Sequence, residues 1–277
     1  MDDWRGRTAL VTGAADGIGF ALCEALVARG ARVFMSDVAA ERLKERAASL
    51  GAACAPCDVS DAAAVDELVS RAWSELGPLD LLCANAGVIV PGSILDAKQA
   101  DIDLVLGVNV WGVVHACRAF VRRMRETGRG GEMLLTGSEH SLSNPAYLRS
   151  VPMHLYNLSK HAVLSIGDSL RAELEPEGIR VSVLCPGPVV SGLLENSNAY
   201  RASRGGGTKR DPSSPDLSDV DTERLAKLYM PASRAAEIAL AGLRAGAFVI
   251  PTHAFELEDA EARFQDVRAG FALSTGA

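Results

Sequence analysis

The sequence is poor in aromatic residues, in net positive charge and in long apolar runs. Aromatic residues make up 5% of the 277 positions, and 28 basic against 35 acidic side chains leave a formal charge of −7. Nucleic-acid-binding proteins usually carry a basic face or stacking aromatics, so no nucleic-acid partner is expected. No apolar run approaches the roughly 20 residues that cross a bilayer. The charged N-terminus is unlike a signal peptide, so we expect a cytoplasmic protein without membrane contact.

Cysteine is scarce as well, and its pattern does not indicate a metal site. Cys54 and Cys57 have the spacing of a redox or zinc pair, but no second pair completes a metal site. The pair also ends a strand-like run, whereas a redox pair opens a helix. The other four cysteines lie in apolar stretches and are expected to be small buried residues; they are Cys23, Cys83, Cys117 and Cys185.

Short apolar runs alternate with amphipathic helical stretches over residues 8–185. The runs are continuously apolar, which is typical of a parallel sheet covered on both faces. We therefore predict an α/β fold, a Rossmann-type doubly wound parallel sheet of about seven strands flanked by helices on both faces. One long helix is predicted over 100–127 and another over 156–175. No linker interrupts the pattern, so 1–277 is expected to be a single domain.

Residues 192–221 behave differently, because glycine, serine, proline and charged residues replace the apolar pattern. Such a stretch predicts a long mobile loop, and we expect 192–230 to be a mobile substrate lid. Its cations either attract an anionic substrate or are simply solvated, and the second interpretation is the commoner one. They are Arg201, Arg204, Lys209 and Arg210.

A glycine-rich turn between the first strand and first helix predicts a dinucleotide site. Gly13, Gly17 and Gly19 permit a tight turn, and the helix N-terminus attracts a pyrophosphate. Their spacing differs from the common G-x-G-x-x-G fingerprint, and such turns also occur without ligands. Asp37, 18 residues after Gly19, ends the second strand, where a carboxylate binds ribose hydroxyls and repels a 2′-phosphate. It favours NAD over NADP, with Asp16 adding negative charge, although Asp37 could instead cap the next helix.

Tyr156 and Lys160 are four residues apart on a predicted helix and share one face. An adjacent ammonium lowers a tyrosine pKa from its usual value near 10. A decrease of about three units would give a base that works near neutral pH. Such pairs are common by chance, so the pair needs support from other motifs.

Further motifs supply that support, and with them the chain resembles the compact, single-domain branch of the short-chain dehydrogenase/reductase family. The resemblance spans residues 8–191, and its additional motifs are Asn85-Ala86-Gly87, Asn109, Ser138 and Pro186-Gly187. It implies that Tyr156 is the general acid/base and that Lys160 lowers its pKa and holds the nicotinamide ribose. Ser138 would hydrogen-bond the reacting oxygen, and Asn109 would hold a water that links Lys160 to solvent. The other cofactor-binding residues implied are Gly13, Asp16, Gly17, Ile18, Gly19, Asp37, Asp58, Val59, Asn85, Ala86, Gly87, Pro186, Gly187, Val189 and Ser191.

The chain departs from the family in the long gap between Ser138 and Tyr156. Ser143 would fit the usual spacing, but Ser138 directly follows the apolar strand, so we predict Ser138 as the catalytic serine. The extra residues would enlarge a loop beside the substrate, and Ser143 becomes a turn residue, as does Ser141. Predicted substrate contacts are Ser138, Tyr156 and His140. His140 and His154 flank this loop and could contact substrate or shuttle protons, but surface-loop histidines without a role are the commoner case.

Together these observations predict an NAD-dependent oxidoreductase that interconverts a secondary alcohol and a ketone. The long lid and enlarged loop suggest a small-molecule substrate larger than a short alcohol. The resemblance also implies a homo-oligomer, tetramer or dimer, packed through the helices at 100–127 and 156–175. Two alternatives stay open. One is an enzyme that runs chiefly as an NADH-dependent carbonyl reductase. The other is a non-catalytic dinucleotide-sensing module, which predicts a broken Tyr-Lys-Ser-Asn set.

Overall fold

A parallel sheet of seven strands forms the centre of the fold, in the order β3-β2-β1-β4-β5-β6-β7. The computed structural model describes residues 4–148, 151–205 and 227–275. The strands are β1 (Thr8–Thr12), β2 (Arg32–Asp37), β3 (Ala53–Pro56), β4 (Leu81–Ala84), β5 (Gly131–Thr136), β6 (Ile179–Cys185) and β7 (Val249–Pro251). All neighbouring strands run parallel, and the order reverses between β1 and β4. The predicted doubly wound fold is confirmed.

Helices cover both faces of the sheet. They are α1 (Gly17–Ala28), α2 (Ala40–Leu50), α3 (Ala62–Leu76), α4 (Gln99–Leu106), α5 (Gly112–Thr127), α6 (His154–Leu174), α7 (Leu193–Ser203), α8 (Ala232–Ala245) and α9 (Glu256–Thr275). Successive strand residues point to opposite faces. Leu10 therefore joins the apolar cluster under α3 and α5, while Ala9 and Val11 join the one under α1 and α8.

The predicted helix over 100–127 is interrupted, because a π-helical segment, Gly107–Trp111, separates α4 from α5. The wider turn brings Asn109 into the interior, where its amide side chain bonds the backbone of Val88 at 2.8 and 2.9 Å. Single π-helical turns inside α-helices often lie at functional sites. Here the hydrogen bonds with Val88 give a physical reason for the π-helical segment, because they hold the Asn109 side chain in the interior.

The same stretch, Gln99–Thr127, corrects the expectation that no segment is long and apolar enough to cross a membrane. Its best 18-residue window has a mean hydropathy of 1.6, yet 61% of that window is buried inside the fold. Length and composition alone qualify it, and a buried core helix of a soluble fold passes the same test. Among the described residues it is the one candidate.

The mobile loop predicted from residue 192 is wrong over Leu193–Ser203, which forms helix α7. Apolar periodicity does not reveal this helix, because polar and ionic contacts with other elements hold it. The rest of the segment, 206–226, lies outside the described residues, so the lid over 192–230 stays a prediction. The predicted helix over 156–175 agrees with α6 (His154–Leu174) to within two residues at each end.

Helix α9 begins at a buried acid. Glu256 is 4% exposed, and neither of its carboxyl oxygens has a hydrogen-bond partner in the part of the chain that the structure describes. A Cβ atom placed on Gly187 would lie 2.6 Å from Glu256 Oε1, so the acid packs directly against the loop that follows β6. Burial, and then the nearby Glu139 carboxyl, raise the pKa of Glu256 to about 9. Glu256 is therefore neutral at neutral pH.

Substituting Glu256→Gln is expected to stabilise the fold in a pH-dependent manner. Above the ordinary pKa of 4.5, folded Glu256 keeps a proton that the unfolded chain has released, so the free energy of unfolding falls as pH rises from about 4.5 to about 9. Thermal unfolding should show Glu256→Gln melting a few degrees above the parent at pH 8 and level with it near pH 4.5. The exposed Glu258→Gln variant is the control, and a Glu256→Gln shift of equal size at both pH values would contradict the account.

Candidate active site

A cleft of about 950 Å³ opens at the carboxyl ends of the strands, where the strand order reverses. Ligands of doubly wound folds bind at this position. The glycine loop, Asp37 and Asp58 line one end of the cleft, and Ser138 and Tyr156 line the other. It therefore joins the predicted cofactor residues to the predicted catalytic residues.

Close backbone contacts explain the glycine loop. Gly13 and Gly17 have positive φ angles of 65° and 52°, which side chains rarely adopt. A Cβ atom on Gly19 would lie 2.0 Å from Gly13 O. Asp16 caps α1 by accepting a hydrogen bond from Gly17 N at 2.7 Å. Gly17 and Ile18, in the first turn of α1, line the cleft, so the helix N-terminus faces it.

The two acidic residues near this loop are held differently. Asp37 Oδ2 accepts a hydrogen bond from Ala15 N at 3.1 Å and Oδ1 accepts one from Ala39 N at 2.9 Å. Asp37 thus braces the glycine loop and the entry to α2 while it lines the cleft, and each oxygen keeps a further lone pair. Asp16 lies 3.6 Å from Arg42 Nη1. Its negative charge is partly offset, so Asp16 argues less strongly against NADP than the sequence suggests.

Asn85 ties three strand ends together. Its Nδ2 donates to Thr12 O at 3.1 Å and to Gly13 O at 3.2 Å, and its Oδ1 accepts from Thr136 Oγ1 at 3.1 Å. Thr12 Oγ1 accepts from Asn85 N and Ala86 N. The Asn85 side chain is therefore used within the protein, and it positions Ala86 and Gly87 beside the cleft.

Tyr156 and Lys160 lie on α6 and are buried. Lys160 Nζ donates to Thr136 O at 2.8 Å and lies 5.5 Å from the centre of the Tyr156 ring. Burial raises the pKa of Tyr156 to about 12, against a lowering contribution from the Ser138 hydroxyl, and burial lowers the pKa of Lys160 to about 8. The ligand-free protein therefore does not have the expected decrease in the Tyr156 pKa, because desolvation outweighs the lowering contribution of the Ser138 hydroxyl.

Ser138 lines the cleft, whereas Ser143 is absent from the described residues that line it. Ser138 accepts a hydrogen bond from His140 N at 3.2 Å, and its backbone N donates to Ser141 Oγ at 3.1 Å. Ser141 Oγ in turn donates to Lys160 O at 2.7 Å. Ser141 thus connects the loop that carries Ser138 to the turn of α6 that carries Lys160. The Ser-x-x-Ser spacing of Ser138 and Ser141 is the sequence feature that could have indicated this link.

Asn109 is fully buried, and its side chain is bonded to the protein. Besides Val88, it donates to Ser159 Oγ at 2.9 Å. A Cβ atom on Gly87 would lie 3.5 Å from both Asn109 Oδ1 and Lys160 Nζ. Asn109 and Lys160 therefore approach the same glycine, although a water held by Asn109 stays a prediction.

The surface-loop interpretation of His140 is wrong. His140 is 3% exposed, and its ring contacts the Tyr156 ring edge-on at 5.4 Å between centroids. Neither ring nitrogen has a hydrogen-bond partner in the described chain, and burial lowers the pKa of His140 to about 4. His154 is exposed, and its Nδ1 accepts from Ile94 N at 3.1 Å, which gives it a local structural role.

The loop after β6 borders the catalytic end. Pro186 O accepts from Glu139 N at 2.9 Å, and Gly187 N donates to Thr252 Oγ1 at 3.1 Å. Ser191 packs over the start of α1, because a Cβ atom on Gly17 would lie 2.9 Å from Ser191 Cβ. Val189 forms a parallel bridge with Met230. The predicted residues of this loop therefore all line the cleft.

Helix α7 lines the cleft. Its contacts involve residues that were predicted to bind the cofactor or to belong to a solvated loop. Asp58, expected beside the adenine, accepts hydrogen bonds from Tyr200 Oη at 2.6 Å and Arg204 Nη1 at 2.9 Å. Arg201 forms a two-point ion pair with Asp101 at 2.5 and 2.6 Å. The solvated-loop interpretation is therefore wrong for Arg201, whereas Arg204 pairs with Asp58 and stays exposed. Lys209 and Arg210 lie outside the described residues.

Further contacts of α7 reach the glycine loop and the chain after β4. Asn196 Nδ2 donates to Asp16 at 2.8 Å, and Arg42 donates to Asn196 Oδ1 at 2.8 Å. Ile89 N donates to Ser197 Oγ at 2.9 Å. No local motif signals these contacts, because each partner is distant in sequence.

The sequence patterns also gave no indication of a buried acid at the catalytic end. Glu139, directly after Ser138, lines the cleft, is 5% exposed and accepts a hydrogen bond from the Tyr147 hydroxyl. Burial raises the pKa of Glu139 to about 7. The remaining surface at this end is largely aliphatic and is formed by Val90, Pro91, Leu148, Val151, Met153 and Leu194.

All six cysteines are free thiols, and Cys54 and Cys57 are not bonded to each other. Burial raises the pKa of Cys57 to about 11, which makes a reactive thiolate unfavourable at neutral pH. Within the described residues no cluster of three or more His, Cys, Asp or Glu side chains is arranged to hold a metal ion.

Comparisons with known proteins agree with this geometry. A family model described as short chain dehydrogenase matches residues 7–202. The chain is 42% identical over 203 residues to a 1-deoxy-11-beta-hydroxypentalenate dehydrogenase of Streptomyces avermitilis, covering 69% of this chain and 73% of that protein. It is 35% identical over 186 residues to a sorbitol dehydrogenase of Cereibacter sphaeroides, covering 66% and 71%.

The solved structures that match include a short-chain dehydrogenase/reductase from Burkholderia phymatum in complex with NAD. It aligns with a TM-score of 0.83 at 29% identity and covers 98% of this chain and 97% of that chain. Fold, family model and relatives agree. The chain belongs to the short-chain dehydrogenase/reductase family and is an oxidoreductase acting on CH–OH groups.

Proposed function

We propose that this protein is an NAD-dependent oxidoreductase that interconverts a secondary alcohol and a ketone. The observation that carries the proposal is the burial of Tyr156 and Lys160 beside Ser138, at one end of the cleft whose other end is the glycine loop. Hydride transfer needs a proton acceptor and a cofactor cradle within one water-poor cleft. The relative named for a hydroxypentalenate agrees with oxidation of an alcohol.

The residues at the glycine-loop end of the cleft are suited to binding NAD. The Gly13 and Gly19 contacts leave no room for side chains, and the α1 N-terminus supplies donors for a pyrophosphate. Asp37 supplies acceptors for ribose hydroxyls and repels a 2′-phosphate. When bound, the nicotinamide ring accepts a hydride from the alcohol carbon or delivers one to the ketone. Gly87, Pro186 and Val189 are the residues proposed to border it.

The catalytic residues would divide the work on the substrate oxygen. Tyr156 would take the hydroxyl proton of an alcohol, or return a proton to a ketone oxygen, while the Ser138 hydroxyl hydrogen-bonds the same oxygen. Because burial raises the pKa of Tyr156 in the ligand-free protein, the phenolate needs the Lys160 charge to be stabilised. Asn109 would help to position Lys160, since both side chains approach Gly87.

The aliphatic lining of the catalytic end supports a bulky apolar substrate. His140 and Glu139 are further buried polar groups there, and burial shifts the pKa of each toward the neutral form. The direction of reaction stays open, and an NADH-dependent carbonyl reductase would use the same residues. A homo-oligomer and a cytoplasmic location also stay predictions, and the exposed Trp111 and Leu158 on the predicted packing helices agree with the first.

Replacing Tyr156 by Phe is expected to lower kcat by at least about 100-fold, because the acid/base hydroxyl is removed. Initial rates across a panel of bulky secondary alcohols, followed as NADH absorbance, measure this effect, and calorimetry should show unchanged NAD affinity. Tyr147→Phe is the matched control, since its hydroxyl donates to Glu139 and is not assigned to proton transfer. Retained turnover in Tyr156→Phe would exclude Tyr156 as the base. A parent protein that binds NAD tightly but turns over no substrate would favour the sensing module.

Replacing Asp37 by Ala is expected to reduce the preference for NAD over NADP by about 10- to 100-fold, because a charged hydrogen-bond acceptor is lost. Calorimetric titration with both cofactors gives the ratio of dissociation constants. Glu41→Gln provides the control, because it removes one negative charge from the start of α2 at an exposed side chain. An unchanged ratio in Asp37→Ala would remove the argument for NAD.

A further inference from the structure

The C-terminal helix α9 carries an exposed apolar stripe. Leu257, Phe264 and Val267 are 61%, 54% and 46% exposed. With Ala260 and Phe271 they follow alternating intervals of three and four residues. This is the spacing of a coiled-coil seam, which places the side chains along one line of the helix.

The first turns of α9 contact the rest of the fold. Ala146 N donates to Asp259 Oδ2 at 3.0 Å, and the Arg263 guanidinium contacts His161 on α6. Residues 261–274 are all exposed. A helical stretch as short as 261–274 is marginal in water without tertiary packing. The outer turns of α9 therefore need an additional surface.

The charges beside the stripe indicate what that surface is. Glu261 and Arg268 occupy equivalent heptad positions on the same side of the stripe, one heptad apart. About 10 Å of helix axis separates them, so they do not pair within one helix. In an antiparallel two-fold arrangement, Glu261 of each helix faces Arg268 of the other. The stripe is thus self-complementary in charge as well as apolar.

An anionic lipid surface is a poorer occupant. Helix α9 carries five acidic residues and two arginines, whereas helices that bind anionic membranes are rich in lysine and arginine on their polar face. The Arg268 guanidinium also lies 5.1 Å from the centre of the Phe264 ring. Arg268 is thereby held along the stripe, where it can pair with an acidic residue of an opposing helix.

We propose that the α9 stripe of Leu257, Phe264 and Val267 packs antiparallel against the same stripe of a second copy of this chain, with Glu261 of each copy paired to Arg268 of the other. The contact is isologous, as two-fold interfaces are. It is distinct from the packing predicted through the helices at 100–127 and 156–175. Helix α9 begins at Glu256, which packs against the loop after β6. The second copy would therefore lie close to this loop, which borders the cleft.

The first test is the mass of the full-length protein in solution, measured by light scattering and sedimentation velocity. Val267→Asp puts a charge into the stripe and is expected to reduce the mass at least by half. Leu273→Asp is the matched control, because Leu273 is 88% exposed on the same helix but lies off the stripe. It should leave the mass unchanged. Both positions are exposed, so circular dichroism should report the parent fold in each variant.

The second test identifies the partner and the register. Glu261→Arg and Arg268→Glu should each weaken self-association by at least about fivefold, since each breaks two exposed ion pairs. Combining the two reversals should restore it. Rescue can come only from a contact between copies, because the two side chains are too far apart within one helix.

Three results would overturn the proposal. One is a Val267→Asp variant with the parent mass. Another is a double reversal no better than the single ones, which rejects the antiparallel register. The third is a monomeric parent that co-sediments with vesicles of phosphatidylcholine and phosphatidylglycerol, which would assign the stripe to a lipid surface.

Discussion

The close approach of the glycine loop to the chain after β4 is the contact on which the cleft depends. A Cβ atom on Gly13 would lie 2.8 Å from Ala86 Cα, and one on Gly19 would lie 2.0 Å from Gly13 O. Asn85 secures this approach through the carbonyl oxygens of Thr12 and Gly13. Because α1 starts directly from this loop, any side chain here would push the helix N-terminus away from the cleft. The packing of α1 and the anion site therefore share one steric cause.

Burial at the other end of the cleft acts against charge on every titratable group there. It raises the pKa of Tyr156, Glu139 and Glu256 and lowers that of Lys160 and His140. Desolvation explains all five directions, since it always favours the neutral form. An oxidoreductase that needs a tyrosinate must overcome this tendency. Such a site is expected to reduce the stability of the fold, which is a common cost of function.

The sequence predicted those features whose residue types follow from backbone geometry or from local spacing. Glycines in a strand-to-helix turn and a Tyr–Lys pair on one helix face belong to this class. The pKa of Tyr156 was mispredicted because spacing gives proximity but not burial. The π-helical turn at Asn109 escaped detection because one wider turn barely changes an apolar helical pattern.

Long-range polar contacts account for most of the other errors. Arg201 and Asp101 are 100 residues apart, and Tyr200 and Asp58 are 142 apart. A sequence pattern gives no reason to pair them, so α7 looked like a solvated loop. His140 likewise looked exposed, because it lies in a loop and the Tyr156 ring that contacts it belongs to the next long helix. Loops are normally solvent-exposed, and this one is buried by tertiary packing.

The segments that follow β6 and β7 form one connected wall behind the cleft. Gly187 N donates to Thr252 Oγ1, which lies 2.7 Å from His253 Nδ1, and His253 Nε2 lies 3.0 Å from Leu228 O. Since a carbonyl oxygen only accepts, His253 carries a proton on Nε2, and burial lowers the pKa of His253, so the neutral ring accepts through Nδ1. A single neutral tautomer thus joins the loop after β6 to the returning chain before α8. Helix α9, which carries the apolar stripe, begins three residues after His253 and therefore directly follows this wall in the chain. Helix α9 and the loop after β6 are therefore connected by bonded and packed neighbours that lie outside the sheet.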